Sequence, residues 1–305
     1  MSAGTLGLPE VADERHRLLS LAYRMLGTLA EAEDAVQETY LRWYRMTDAE
    51  RAAITTPQAW LTRVASRICL DVLASARRRR ERYVGEWLPE PVPADLFAGS
   101  PSPAPGADPF DRISLDESVS TAVLVVMEAM TPAERVAFVL HDVFALPFAE
   151  IADVVGRTPA AVRQLASSAR RRVREHGAVG AGRHEHDAVV RAFAHAAGTG
   201  DLDRLAGLLD PAVTLRSDGG GVVSAARRPV LGITNVARFV LGVVRKSPGL
   251  AFVEERTGDG LAYRIVQGDA VRGVLNAHVV DGRITDVWLQ VNPEKLGSWH
   301  GAGRT

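Results

Sequence analysis

Between Trp87 and Pro109 the chain carries seven of its sixteen prolines, with alanine, glycine and serine filling much of the rest. Proline lacks a backbone N–H, fixes φ at about −65° and pushes the residue before it towards extended geometry, so neither a helix nor a central strand can cross this stretch. The chain is therefore divided by an extended, semi-rigid segment. At 305 residues it is long enough for two or three folded units, each able to bury a core.

Before the proline stretch the apolar pattern is helical throughout. Leu18, Leu21, Ala22 and Met25, then Ala35, Val36, Leu41 and Trp43, recur at helical spacing. Thr56-Pro57 opens a further helix whose core stripe is Leu61, Val64, Ala65, Ile68 and Val72. After the stretch, a helix through Val123–Met130 is followed by a Thr131-Pro132 helix start. These patterns predict an all-α domain over 10–86, a linker over 87–110, a second all-α domain over 111–177 and a short Gly/Ala-rich linker over 178–184.

Within the second domain, 148–166 reads as a helix-turn-helix. Gly156 marks the turn, Thr158 is a good N-cap, and Pro159 sits at the first helical position, where a missing N–H is no loss. Along the second helix Val162, Leu165, Ala166, Ala169 and Val173 form one stripe; Arg163, Ser167, Arg170, Arg171 and Arg174 form another. One face can dock on the preceding helix while the other meets phosphates and base edges. Formal net charge is only −1, so a nucleic-acid surface must be local; Arg77–Arg80 with Arg82, and Arg163–Arg174, supply two basic blocks.

Residues 185–305 have a different texture. Helical periodicity at Val189, Val190, Phe193 and Ala196 gives way to strand-like runs around 213–216, 251–255, 262–266, 271–280 and 284–291, with a helix near 235–244 between the first and second. Asp259-Gly260 and Asp281-Gly282 fall between runs and read as hairpin turns. The expectation is an α+β domain, a curved antiparallel sheet wrapped on helices. The single cysteine, Cys69, cannot form an internal disulfide, and the chain shows neither a secretory leader pattern nor an apolar run long enough to span a bilayer, so a cytoplasmic protein is expected.

The stretch 34–43 (Asp-Ala-Val-Gln-Glu-Thr-Tyr-Leu-Arg-Trp), followed by 59–65 with Asp71, resembles region two of bacterial extracytoplasmic-function sigma factors. Residues 131–174 resemble their region four. The last domain is similar to the SnoaL-like, ketosteroid-isomerase-like fold, and the combination resembles the sigma-J-type subgroup that carries such an extension. Three short motifs sharpen the likeness: Trp87-Leu88-Pro89-Glu90-Pro91, Asp218-Gly219-Gly220-Gly221 and Asn292-Pro293-Glu294-Lys295-Leu296. The resemblance implies a promoter-recognition subunit that binds core RNA polymerase through Asp34, Gln37, Glu38, Arg42 and Trp43. Trp60, Arg63, Arg67 and Arg77, Arg78, Arg79 and Arg80 would engage the minus-ten element, although many family members have Asn where this chain has Arg67, and Trp60 reads equally well as core. Thr158, Arg163, Gln164 and Ser167 would face the minus-thirty-five element, with Arg170, Arg171 and Arg174 on phosphates.

An isomerase-like fold raises the question of catalysis. Asp218, His278, Trp288, Arg216 and Tyr263 are the residues that could line a pocket, but Asp218 followed by three glycines reads as a turn or flexible lip. No His/Cys/Asp cluster has metal-ligand spacing, and the expectation is a non-enzymatic domain with no cofactor or metal. The three motifs are instead expected to form a regulatory contact between the SnoaL-like domain and the sigma domains, with Trp87 as an aromatic anchor; the alternative is that the linker and tail are spacers. Two rival classes remain at this point: a one-component regulator whose SnoaL-like domain senses a small molecule, and a DNA-tethered enzyme.

Overall fold

The computed structural model describes residues 8–80, 83–97, 120–175 and 180–300, with the side chains of 8–13 and 76–80 outside the description. The greater part of the proline stretch thus lies outside the described residues. The chain divides into two compact units, one formed by 1–79, 97–118 and 126–176, the other by 80–96, 119–125 and 177–305.

The first unit is helical. Helices α1 (Leu8–Leu26), α2 (Leu29–Arg45), α3 (Asp48–Ala52) and α4 (Pro57–Arg80) precede α5 (Thr121–Glu128), whose first five residues belong to the second unit, and then α6 (Pro132–Phe138), α7 (Phe148–Val155) and α8 (Pro159–Glu175). On α4 the buried apolar positions are Leu61, Ala65, Ile68, Cys69 and Leu73, with Val64 and Val72 only half-buried. Helix α6 starts on a complete capping box: the Thr131 hydroxyl accepts from the Glu134 amide at 3.3 Å, and the Glu134 carboxylate accepts from the Thr131 amide at 2.9 Å. Helix α7 ends on Gly156 at φ 67°, whose amide donates to the Ala152 carbonyl, a left-handed conformation that glycine enters without a Cβ penalty. The Thr158 hydroxyl then accepts from the Ala161 amide at 3.3 Å and opens α8, a cap worth about 1 kcal/mol. Val162, Ala166, Ala169 and Val173 bury one face of α8 while Leu165 is half-buried, the stripe expected from spacing.

The second unit contains α9 (Arg183–Thr199), α10 (Leu202–Leu208), α11 (Ile233–Lys246) and six strands: β1 (Leu209–Asp218), β2 (Val230–Leu231), β3 (Leu250–Thr257), β4 (Gly260–Gln267), β5 (Ala270–Val280) and β6 (Arg283–Gln290). The sheet order is β2-β1-β6-β5-β4-β3. Strands β3 to β6 form the expected antiparallel meander, but β1 runs parallel to β6, so the sheet is mixed rather than wholly antiparallel. The reason is topological: the excursion through β2 and α11 carries the chain across the sheet before β3 begins, leaving β1 free to join β6 in the same direction.

Alternation along the strands sorts side chains onto two faces. Leu215, Val287, Leu289, Leu275, Ala277 and Tyr263 pack with Phe193, Ala197, Val236 and Val240 of the helices in one core. The other face carries Asp218, Gln290, Val274, Asn276, His278 and Trp288, all buried as well. Asp281 and Gly282, both at positive φ, form the β5–β6 turn with the backbone twist that suits a hairpin. The β3–β4 turn differs by one residue from expectation: Thr257 pairs Gly260, so Gly258-Asp259 is the loop and Gly260 opens β4.

Candidate nucleic-acid interface and the buried aspartate hub

In the first unit, α2 presents Asp34, Gln37 and Arg42 to solvent, and Arg42 pairs with half-buried Glu38 at 2.8 Å. Trp43 and Trp60 are half-buried against one another, ring centroids 5.2 Å apart. Trp60 therefore packs on a second tryptophan while keeping part of its surface open. Arg63 and Arg67 are exposed on α4, and the Arg67 guanidinium donates to the Asp153 carbonyl of α7 at 2.8 Å. The side chains of Arg77, Arg78, Arg79 and Arg80 lie outside the described residues.

On α8 the expected cationic face is present but uneven. Thr158, Arg163, Gln164, Ser167, Arg171 and Arg174 are exposed. The Arg163 guanidinium lies over the Phe148 ring, 5.2 Å from its centroid, a cation–π contact that presets its direction. Arg170 is half-buried and engages Asp142 at 3.3 Å, and Arg172 approaches Glu134 at 3.9 Å. Burial alone would raise the Glu134 pKa, but the Thr131 amide and hydroxyl, the Ser168 hydroxyl and Arg172 hold it below the usual carboxylate value.

In the second unit the three short motifs meet at one carboxylate. Asp218, fully buried at the end of β1, accepts from the Tyr83 hydroxyl at 2.6 Å, the Leu88 amide at 3.0 Å, the Lys295 ammonium at 2.7 Å, the Gly220 amide at 3.0 Å and the Gln290 side-chain amide at 3.4 Å. Lys295 also donates to the Leu88 carbonyl at 2.6 Å, and its ammonium lies 4.1 Å from the Trp87 ring centroid. The Trp299 indole donates to the Pro91 carbonyl at 2.8 Å. Leu88, Pro89, Glu90, Pro91 and Leu296 are buried, whereas Pro293 and Glu294 are exposed. Residues 83–92 are thus part of this unit's packed face, held by backbone and side-chain hydrogen bonds.

The glycines after Asp218 are fitted rather than loose. Gly220 and Gly221 sit at φ 64° and 74°, and a Cβ on Gly220 would stand 2.5 Å from the Asn292 side chain. A Cβ on Gly219 would run into the Val223 carbonyl. Asn292 in turn donates to the Tyr83 hydroxyl at 3.0 Å, and burial together with the Asp218 carboxylate pushes the Tyr83 phenol well above its ordinary pKa. Of the two readings of this segment, a turn or a flexible lip, the structure has the turn, and it is close-packed. Tyr83, Gln290 and Trp299 escaped sequence reasoning because nothing local distinguishes them; only the fold brings them to Asp218.

The residues considered for catalysis divide between the two faces of the sheet. Tyr263 belongs to the helix-facing core, with its pKa pushed up to about 12 by burial and Glu254. Asp218, Arg216, His278 and Trp288 lie on the opposite face by strand register. Arg216 is taken up by Asp286 and Glu86, at 3.5 and 3.9 Å. No group of His, Cys, Asp or Glu that could hold a metal occurs among the described residues, and no helix among them is long and apolar enough to cross a membrane.

Comparison with known proteins agrees with this geometry. Residues 11–79 match Sigma-70 region 2 and residues 120–173 match Sigma-70 region 4. The chain is 42% identical over 294 residues to the ECF RNA polymerase sigma factor SigJ of Mycobacterium tuberculosis, covering 92% of this chain and 90% of that protein. It is 34% identical over 173 residues to the ECF RNA polymerase sigma factor SigG of the same organism, covering 51% and 44%. The crystal structure of M. tuberculosis SigJ superposes with a TM-score of 0.72 at 34% identity, over 96% of this chain and 99% of that one. The chain belongs to the extracytoplasmic-function RNA polymerase sigma factors, the class of subunits through which polymerase initiates transcription at promoters. Its C-terminal unit has the α+β arrangement expected of the SnoaL-like extension.

Proposed function

We propose that this sigma factor is controlled in cis by its C-terminal unit, which grips the segment following region two through Asp218. The observation that carries the reading is the fully buried Asp218, shared by Tyr83, Leu88 and Lys295. A buried ion pair contributes little net stability but specifies one arrangement, because leaving either charge unpaired costs several kcal/mol. Such a contact suits a device that must hold one state and let go as a unit.

Within that scheme Asp34, Gln37, Glu38, Arg42 and Trp43 dock on core polymerase. Trp60, Arg63 and Arg67, with the arginines of 77–80, engage the minus-ten element, where exposed aromatic and guanidinium planes can hold unstacked bases. Thr158, Arg163, Gln164 and Ser167 meet the minus-thirty-five major groove, and Arg171 and Arg174 its phosphates.

The test is the Trp87→Ala chain assayed with core polymerase. Trp87 is half-buried and its ring receives Lys295, so truncation is expected to weaken the grip, change promoter-dependent run-off transcription and enlarge the solution scattering profile, with helical content retained. Unchanged transcription together with an unchanged scattering profile would sink the reading.

A further inference from the structure

A second attachment point lies on the same sheet face, away from all three motifs. In the β3–β4 turn, the Asp259 carboxylate accepts from the Thr121 amide at 2.8 Å and the Thr121 hydroxyl at 2.7 Å, with the Ala122 amide at 3.5 Å. The Asn276 side chain on β5 donates to the Thr121 hydroxyl at 2.6 Å. Thr121 and Ala122 are the first residues of α5, so a carboxyl group 138 residues away satisfies amides that a helix start leaves without partners; burial raises its pKa, and the Thr121 and Ala122 hydrogen bonds oppose that shift. Ser120, Thr121, Ala122, Val123 and Leu124 are all buried.

The platform behind Asp259 is stiff. Gly260, at φ 114°, packs so closely on α9 that a Cβ would stand 2.8 Å from His186 Nδ1. Asp187 on α9 accepts from the Leu261 amide at 2.8 Å and pairs with Arg256 on β3. The Asp259 amide is itself tied to the Thr257 hydroxyl at 3.3 Å. A fixed turn therefore presents a fixed carboxylate.

Strand register places the two attachment points relative to each other. Asp218 pairs Gln290 and Gln290 pairs Val274, with Asn276 two residues further along β5. Two strand spacings and two residues separate the Leu88 and Thr121 anchors by about 12 Å. The sheet thus holds both ends of the connector between regions two and four, Leu88 at Asp218 and Thr121 at Asp259.

We propose that Asp259 is the second jaw of a two-point clamp: the C-terminal unit holds the region-two side of the connector at Asp218 and the start of region four at Asp259, and the Asp259 jaw can open alone, freeing the first turn of region four from the sheet. The inference rests on the cis-control reading and adds where and in what order the restraint is released. The Asp259 jaw is the weaker one, since it is made of hydrogen bonds to neutral donors, whereas the Asp218 jaw includes an ammonium.

Hydrogen exchange on the full chain tests it without reference to transcription. In both Asp259→Ala and Thr121→Val, the amides of 121–124 are expected to exchange at least about 10-fold faster, while the Leu88 amide and the β5–β6 hairpin keep their protection. Unaltered protection of 121–124 in both variants would overturn the proposal. So would loss of protection at Leu88 and in the sheet at the same rate, because the two points would then open as one body. Since Trp87→Ala tests cis control by transcription, failure of that reading and failure of the second jaw give different results.

Discussion

The Lys295 ammonium stands 2.7 Å from the Asp218 carboxylate, with the lysine side chain 8% exposed and the aspartate fully buried. Three sequence motifs more than seventy residues apart from one another owe their joint meaning to that pair: the first supplies the Leu88 amide and carbonyl, the second the carboxylate and the last the ammonium. Each partner is also hydrogen-bonded elsewhere, so the pair is solvated by the protein in place of water.

Lys295→Met should therefore destabilise the C-terminal unit by about 3–5 kcal/mol, the usual cost of stranding a buried charge. The double variant Asp218→Asn with Lys295→Met should recover part of that loss, because no net charge is left in the site. Denaturant midpoints of the single and double variants, followed by sheet-sensitive circular dichroism, provide the comparison; equal losses would argue that the pair is not the source of the cost.

Gly220→Ala should be more harmful than its size suggests. The residue needs φ 64°, and the added methyl would press on Asn292, which orients Tyr83 towards Asp218. Backbone strain and lost hydrogen bonding together point to a loss above about 1 kcal/mol. Gly182→Ala, where a Cβ meets nothing within 4 Å and φ is −57°, is the control and should be close to neutral in the same thermal unfolding assay.

What the sequence made readable follows the range of the interactions involved. The starts at Thr131-Pro132 and Thr158-Pro159, the Gly156 stop and the Asp281-Gly282 turn are local chemistry, settled within four residues, and the α8 stripe is a matter of period. Tyr83 donating to Asp218, and Asp259 capping Thr121, join residues 135 and 138 positions apart, and no spacing rule encodes such meetings. The parallel β1–β6 pairing belongs with these, since a strand's period reveals which residues share a face but not which neighbour it joins. Asp259 was visible only as a turn residue. Its role depends on a helix start that the proline stretch separates from the first helical domain.

Acid should act on region four through Glu134. Its folded pKa lies below the ordinary value because the Thr131 capping bonds, Ser168 and Arg172 outweigh burial. A carboxyl with a depressed folded pKa contributes stability that is complete above its unfolded pKa, about 4.3, and is lost as pH falls through the folded value. Thermal midpoints taken from pH 7 down to pH 3 should fall less steeply in Glu134→Gln than in the parent chain, while Glu134→Gln should start lower at pH 7. Parallel curves would remove Glu134 from the acid response.

The arginines of α8 should separate into two kinds. Arg171 has a side chain 67% exposed and a distant partner, Glu175 at 3.8 Å, whereas Arg170 is 22% exposed and engages the buried Asp142 at 3.3 Å. A phosphate contact releases condensed counterions on binding, and each one adds about 0.9 to the negative slope of log affinity against log salt. Arg171→Ala is therefore expected to flatten that slope by about one unit on a minus-thirty-five duplex and leave the unfolding midpoint where it was, since exposed ion pairs contribute little. Arg170→Ala should do the reverse, lowering the midpoint by removing a cation that engages buried Asp142 while changing the slope by less than half a unit. An equal slope change in the two variants would mean that Arg170 leaves Asp142 when DNA binds, and that the α8 surface rearranges on the promoter.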